Sequence, residues 1–314
     1  MADFFSHDLF GERMLAHLPA AAQSAAAQHT AAYHWGLHGP DPLFFHKVFL
    51  GSPLHKLGNR MHSERTGELF AAFADAVGRL RGENRVIAEA YFYGFLCHYA
   101  LDSIIHPYVY YHQAQIAAMD EGRSASAIHC QIETDIDWAL YAREYEGEIN
   151  DHSFEFEDKY ALSPEETAVL AVLLHHLLRR VYDVDVPTAE LRPAFREMLN
   201  CQLIFVNTSP AVERGLGALE RAVRKNGILT SHFKVREPDW DCLNLEHRPW
   251  HNLWFPEKER AESIPELFDH AERRAAALAN NYAFQFDEGW QLNLSFYEPF
   301  DNGSARRQPD EEIQ

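Results

Sequence analysis

Basic residues are scarce in this chain: 28 lysines and arginines stand against 47 aspartates and glutamates over 314 residues, a formal charge of −19. So acidic a balance argues against a nucleic-acid scaffold or a binder of anionic membranes, both of which need basic patches. It does not exclude an enzyme acting on phosphates, because bound cations make a local positive site of their own. Cysteine is scarce too. Cys97, Cys130, Cys201 and Cys242 show no C-x-x-C spacing and sit in apolar or helical sequence, which reads as packed thiols rather than a disulfide frame. No apolar run reaches the length of a membrane span. The start, Met1-Ala-Asp-Phe-Phe-Ser-His7-Asp, lacks the basic region and apolar core of a signal peptide. The expectation is a cytoplasmic protein with no transmembrane segment. Alternating, β-branched stretches are nearly absent, and no internal repeat stands out.

What remains is helix, and 46% apolar residues are ample for a core. A helical pattern covers about Leu9 to Leu18, and an alanine-rich one covers Ala20 to Ala32. Two glycines and two prolines then force a loop, Gly36-Leu-His38-Gly39-Pro40-Asp41-Pro42. Later helices are announced by their caps: Ser163-Pro-Glu-Glu166 opens one to about Tyr182, and Ser263-Ile-Pro-Glu266 opens a last one to about Tyr282. Between them, helices follow Pro187 and Pro210. The tryptophan-rich stretch from Pro238 to Pro256 reads as irregular cover for one end of the bundle. The fold expected is all-α, a single domain over 1–302, followed by a polar, disordered tail over 303–314.

Histidine is plentiful, 19 residues crowded toward the first half. In the run from Ala90 to His106 the residues that are neither apolar, small nor tyrosine are His98, Asp102 and His106. On a helix, i, i+4 and i+8 stack one above another. The other faces carry Phe92, Phe95, Leu96, Leu101, Ile104 and Ile105, so the helix is apolar nearly all round and belongs in the interior. A carboxylate buried there without a partner is very costly. His129 and Glu133 repeat the spacing on the next helix, again among isoleucines. Imidazole with carboxylate is a donor set for zinc-like divalent ions. The plainer alternative has the histidines as hydrogen-bonded core residues, with Asp102 and Glu133 paired to arginines. Asp41, between prolines, has a turn role as its plain alternative.

Taken together, His7, Gly39-Pro-Asp41, Met61-His62, Gly94-Phe-Leu-Cys-His98-x-x-x-Asp102-x-x-x-His106 and His129-x-x-x-Glu133 resemble the zinc-dependent phospholipase C family, closest to its small, signal-less bacterial members. That family shares an all-helical trinuclear zinc fold with the single-strand-specific zinc nucleases. The resemblance implies a first metal on Asp41, His62, His98 and Asp102, and a second on His106, His129 and Glu133. A third would rest on His7 with Asp102 bridging. Secreted members also use the amino group of a mature N-terminal tryptophan. No tryptophan lies near the start here, which leaves the Ala2 amine as a substitute or the third site weak or empty, and the secreted toxins' C-terminal lipid-binding domain has no counterpart. His55 competes with His62 for its position, and His46 and His112 are set aside as neighbours.

The implied cofactors are two or three Zn2+ ions, with iron or manganese as other options. The implied chemistry is hydrolysis of a phosphodiester substrate, a phospholipid or a small diester, by a metal-activated water. Asp41, at the rim of the site, is the expected catalytic proton acceptor. Tyr108, Tyr110, Tyr111, Trp35 and Trp138 are candidates for an aromatic wall around a quaternary ammonium headgroup. No arginine or lysine stands near the motifs in sequence. The alternatives are a nuclease-like phosphodiesterase on the same fold, disfavoured by the acidic charge, and a non-catalytic protein stabilised by closed metal sites.

Overall fold

The structure, a computed structural model, describes residues 4–48, 50–120, 122–145, 158–223, 227, 229–288 and 299–300. Among them are twelve helices: α1 (Phe4–Leu15), α2 (Ala20–Gln28), α3 (Thr30–Gly36), α4 (Pro42–Phe45), α5 (Leu54–Ser63), α6 (Thr66–Arg79), α7 (Glu83–Met119), α8 (Ala125–Tyr145), α9 (Pro164–Tyr182), α10 (Thr188–Asn207), α11 (Pro210–Ala222) and α12 (Ile264–Glu288). The expected all-α single domain is what forms. The one ladder among the described residues pairs Trp250–His251, in the tryptophan-rich segment, with Glu259–Arg260 just after it.

α7 is the axis. It is buried on nearly every face between Ile87 and Val109, and α1, α2, α3, α6, α8, α9 and α12 all pack on it. Its crossing with α3 is close: a Cβ on Gly94 would come within 2.2 Å of the Tyr33 carbonyl oxygen, and one on Gly36 within 2.3 Å of that of Tyr91. Only backbone fits at that point. The turn after α3 is therefore pressed against the middle of α7, where His98 stands.

The cap signals hold. Ser163 accepts from the Glu166 N–H while the Glu166 side chain returns to the Ser163 N–H, a complete capping box on α9. Ser263 and Glu266 form the same bonds at α12, which runs past Tyr282. Two expectations near the start need correction. The helix expected from Leu9 to Leu18 begins at Phe4 and ends at Leu15. Its first turn is held by Asp137 of α8, whose carboxylate accepts from the N–H groups of Phe5 at 2.8 Å and Ser6 at 2.7 Å, so no local cap was needed. The alanine-rich stretch is two helices, broken at His29. That ring is pulled aside to bridge Glu83 at 2.9 Å and Glu166 at 3.0 Å, the starts of α7 and α9. The expected tail over 303–314 lies outside the described residues.

Candidate metal centre

Five elements converge on one interior point. α1 brings His7, the turn before α4 brings Asp41, α5 brings His62, α7 brings His98, Asp102 and His106, and α8 brings His129 and Glu133. All eight are buried. Their possible ligand atoms fall into three groups, His7 with His98 and Asp102, Asp41 with His62 and His98, and His106 with His129 and Glu133; within each the atoms lie within 4.8 Å of one another.

The rings are aimed by acceptors behind them. Nδ1 of His62 donates to the Gly58 carbonyl at 2.8 Å, that of His98 to the Leu37 carbonyl at 3.1 Å, and that of His106 to the Phe300 carbonyl at 3.3 Å. His129 Nδ1 donates to Gln113 Oε1 at 2.8 Å. A carbonyl oxygen only accepts, so Nδ1 carries the hydrogen in each ring and the neutral ring presents a bare Nε2. These four Nε2 atoms face other acceptors. His62 and His98 approach each other Nε2 to Nε2 at 3.4 Å. His62 Nε2 lies 3.2 Å from Asp41 Oδ1 and His98 Nε2 3.2 Å from Asp102 Oδ2. Glu133 Oε1 receives the Nε2 atoms of His106 and His129 at 3.1 Å each. Asp102 is shared, since its other oxygen lies 3.1 Å from His7 Nε2.

Such an arrangement is repulsive as it stands. Both Asp41 oxygens, Asp102 Oδ2 and both His7 nitrogens are buried without a hydrogen-bond partner. Burial pushes the His98 pKa down to about 3, so the ring is not expected to supply the missing positive charge. Burial works against charge on Asp102 and Glu133 as well, and it is protonated imidazoles, His98 first for Asp102 and His129 first for Glu133, that would hold both carboxyls below their ordinary range. Lone pairs pointed inward at one another are what a cation resolves. The 3.1–3.4 Å separations match the edge of a tetrahedron with arms of about 2.0–2.1 Å, roughly 3.3 Å, the usual zinc geometry. The residues fit divalent ions.

The arginine-paired alternative finds no support: among the described residues the charged neighbours of Asp102 and Glu133 are histidines. His55 is spent elsewhere, its Nε2 donating to the His46 carbonyl at 2.8 Å, and His46 binds Glu197 at 2.8 Å. Asp41 is not at a rim. It is fully buried, with its N–H on the His38 carbonyl and its carbonyl on the Phe44 N–H. A cavity of about 20 Å³ borders the centre, lined by Ser6, His7, Asp102, His106 and Glu133 among others and not by Asp41. Of the aromatic candidates, Trp35 and Tyr108 are core, whereas Tyr110 packs 5.0 Å from the His129 ring and 5.4 Å from Trp254.

Sequence separation hid two lysines. Buried Lys234 lies 3.6 Å from Asp137, one turn beyond Glu133. Lys159 binds Asp8, the residue after His7, at 2.9 Å; Asp8 also meets His34 Nδ1 at 2.6 Å and the Tyr160 hydroxyl at 2.8 Å. Both cations serve carboxylates that anchor α1, and so hold His7 in place. Phe300, Gln113 and Leu37 were likewise missed: a carbonyl behind a ring leaves no mark on spacing.

No helix among the described residues is long and apolar enough to cross a membrane. No curated protein and no solved structure matches the chain. Residues 2–169, more than half its length and including all eight converging side chains, match the model of one family, and on that match the chain belongs to the zinc-dependent phospholipase C family.

Proposed function

We propose that the protein is a metal-dependent phosphodiester hydrolase of phospholipase C type, acting on a phospholipid or a small phosphodiester in the cytoplasm. The observation that carries this reading is the inward meeting of bare Nε2 atoms and unpartnered carboxylate oxygens at His62, His98, Asp41 and Asp102. In it Asp41, His62, His98 and Asp102 hold a first ion, His106, His129 and Glu133 a second, and His7 with Asp102 a third. When bound, such ions polarise the phosphoryl group and lower the pKa of water toward neutrality.

The chain's own residues do the rest. Asp41 accepts the proton of the attacking water, a role supported by two oxygens that no hydrogen-bond donor occupies. The second group offers only three protein donors, which leaves a position for substrate or water. Lys159 and Lys234 are committed to carboxylates, so phosphate is gripped by the ions rather than by basic side chains. Tyr110 and Trp254 beside His129 supply aromatic surface suited to a quaternary ammonium group. The four buried thiols suit a reducing compartment.

One observation favours a second reading, in which the ions are structural. The cavity reaching His106 and Glu133 is about 20 Å³, space for roughly one water molecule. The readings separate in an assay of zinc-loaded protein on p-nitrophenyl phosphorylcholine, bis-nitrophenyl phosphate and single-stranded DNA. Turnover of one of the small esters, lost by at least about a hundredfold in Asp41→Asn with its zinc retained, is the expected result for a positioned acid–base group. If no substrate turns over and His98→Ala behaves like the wild type, the enzymatic reading fails.

A further inference from the structure

Phe300 lies far outside the matched segment and has no side-chain polar atom, yet its backbone touches two of the metal-ligating groups. Its N–H donates to the His62 carbonyl at 2.8 Å, and its carbonyl accepts from His106 Nδ1 at 3.3 Å. His62 belongs to the group around Asp41 and His106 to the group around Glu133. The side chain fixes that placement. Its ring is fully buried, stacked on Phe70 at 5.9 Å and 12°, edge-on to Tyr99 at 4.8 Å and to Phe95 at 5.9 Å, and set against the His62 and His98 rings at 5.7 and 5.8 Å.

The carbonyl decides a tautomer. Without it, His106 Nδ1–H would have no hydrogen-bond acceptor among the described residues, Asp102 Oδ2 being 3.9 Å away. A buried donor left unmet is unfavourable. The ring would escape by carrying its hydrogen on Nε2, which can donate to Glu133 Oε1 at 3.1 Å. In that form the nitrogen facing Glu133 and His129 has no lone pair for a cation. We infer that Phe300 is a positioning residue for both groups: its carbonyl holds His106 as the Nδ1–H tautomer, and its N–H ties the same point of chain to the end of α5 that carries His62. Residues 2–169 hold every ligand-type side chain of the centre but not this acceptor, so they are insufficient to aim it.

The inference rests on the metal-dependent reading, and the experiment separates the two. Zinc affinity is measured by competition with a chromogenic chelator for the full-length wild type, Phe300→Leu and Phe300→Ala, with melting temperatures of each in excess chelator. Loss of an orienting acceptor weakens metal binding by about ten- to a hundredfold, so Phe300→Ala is expected to lose zinc affinity by that factor. Phe300→Leu, which refills most of the ring's space and keeps the backbone seated, stays within about threefold of wild type on the same scale. If Phe300→Ala melts lower in chelator but binds zinc as tightly as wild type, Phe300 is packing alone and the inference is overturned. Wild type that binds no zinc overturns the metal reading and this inference with it. Should Phe300→Ala fail to fold, nitrogen-15 spectra of the metal-free wild type at alkaline pH, where the ring is neutral, decide: the Nδ1–H pattern at His106, identified by its absence in His106→Asn, supports the inference, and the Nε2–H pattern sinks it.

Discussion

At position 39 a single hydrogen atom decides where His98 can stand. Gly39 has φ +48°, and a Cβ there would lie 2.4 Å from His98 Cδ2. Gly39→Ala is expected to destabilise the protein by at least about 1–2 kcal/mol from the left-handed backbone alone, and to weaken zinc binding because His98 must move. Urea denaturation read beside metal content checks both: a variant that keeps its zinc and its midpoint would falsify the argument. Five of the eight ligand-type residues were legible because helical spacing is local: His98, Asp102 and His106, then His129 and Glu133, follow from i and i+4 alone, whereas His7, Asp41 and His62 were legible only through the family resemblance. The acceptors that aim the rings were not legible. Leu37, Gly58, Gln113 and Phe300 act through carbonyl groups, three of them backbone, that every residue or any glutamine could supply. Asp41 was legible as a member of the site, but its depth was not, since burial is set by what closes over it.

At the scale of elements, α1 depends on α8. Asp137 accepts from the Phe5 and Ser6 N–H groups and from the Ser6 hydroxyl at 2.5 Å, and it faces buried Lys234. It stands one helical turn beyond Glu133 on the same helix, so one stretch of α8 both presents a ligand-type carboxylate and seats the helix that carries His7. Asp137→Ala removes the acceptor from a helix start and the carboxylate from a buried lysine, which is expected to cost about 3–5 kcal/mol. Asp137→Asn, keeping one acceptor oxygen, falls between. In the proposed reading an ion on His7 and Asp102 would be lost first, so elemental analysis should show about one zinc fewer per chain in Asp137→Asn than in the wild type. Unchanged stability in the alanine variant would rule out the clamp. The start of α1 was misread in sequence for the same reason: its cap comes from 131 residues away. Where the cap is local, as at Ser163 and Glu166, the helix start was read to the residue.

Across the whole molecule, burial of neutral imidazoles sets the response to pH once the ions are stripped. His98 is pushed by burial from an ordinary 6.5 to about 3, and His112, packed on Tyr108, from 6.5 to about 4. His129 moves the same way, with burial again the largest cause. For each, the unfolded chain takes up a proton below about 6.5 that the folded chain refuses, so stability present above that pH is lost as the pH falls toward the folded value. Asp102 and Glu133, held low by imidazoles against the effect of burial, add losses at still lower pH, below about 4.5. His106 works in the opposite direction: burial disfavours its charge, but Asp102 and Glu133 outweigh that and raise its pKa, so its contribution is present at low pH and lost as pH rises through the raised value. With His38 and His176, which burial also pushes down, five histidines stand against His106, leaving a net loss on acidification with a slope of about 1.4 kcal/mol per pH unit for each net proton. Loaded with zinc, the Nε2 atoms of His98, His106 and His129 would be occupied as bases, and protons must compete with the ions there. Free zinc at about a thousand times the dissociation constant adds roughly 4 kcal/mol per site. Urea midpoints between pH 4 and 8 should therefore form two curves, the chelator-treated protein falling from about pH 6.5 downward and the zinc-loaded protein lying above it, nearly level from pH 6 to 8. Coincident curves would mean that the histidines around Asp102 hold no ion, and the acidic, histidine-rich interior would need another explanation.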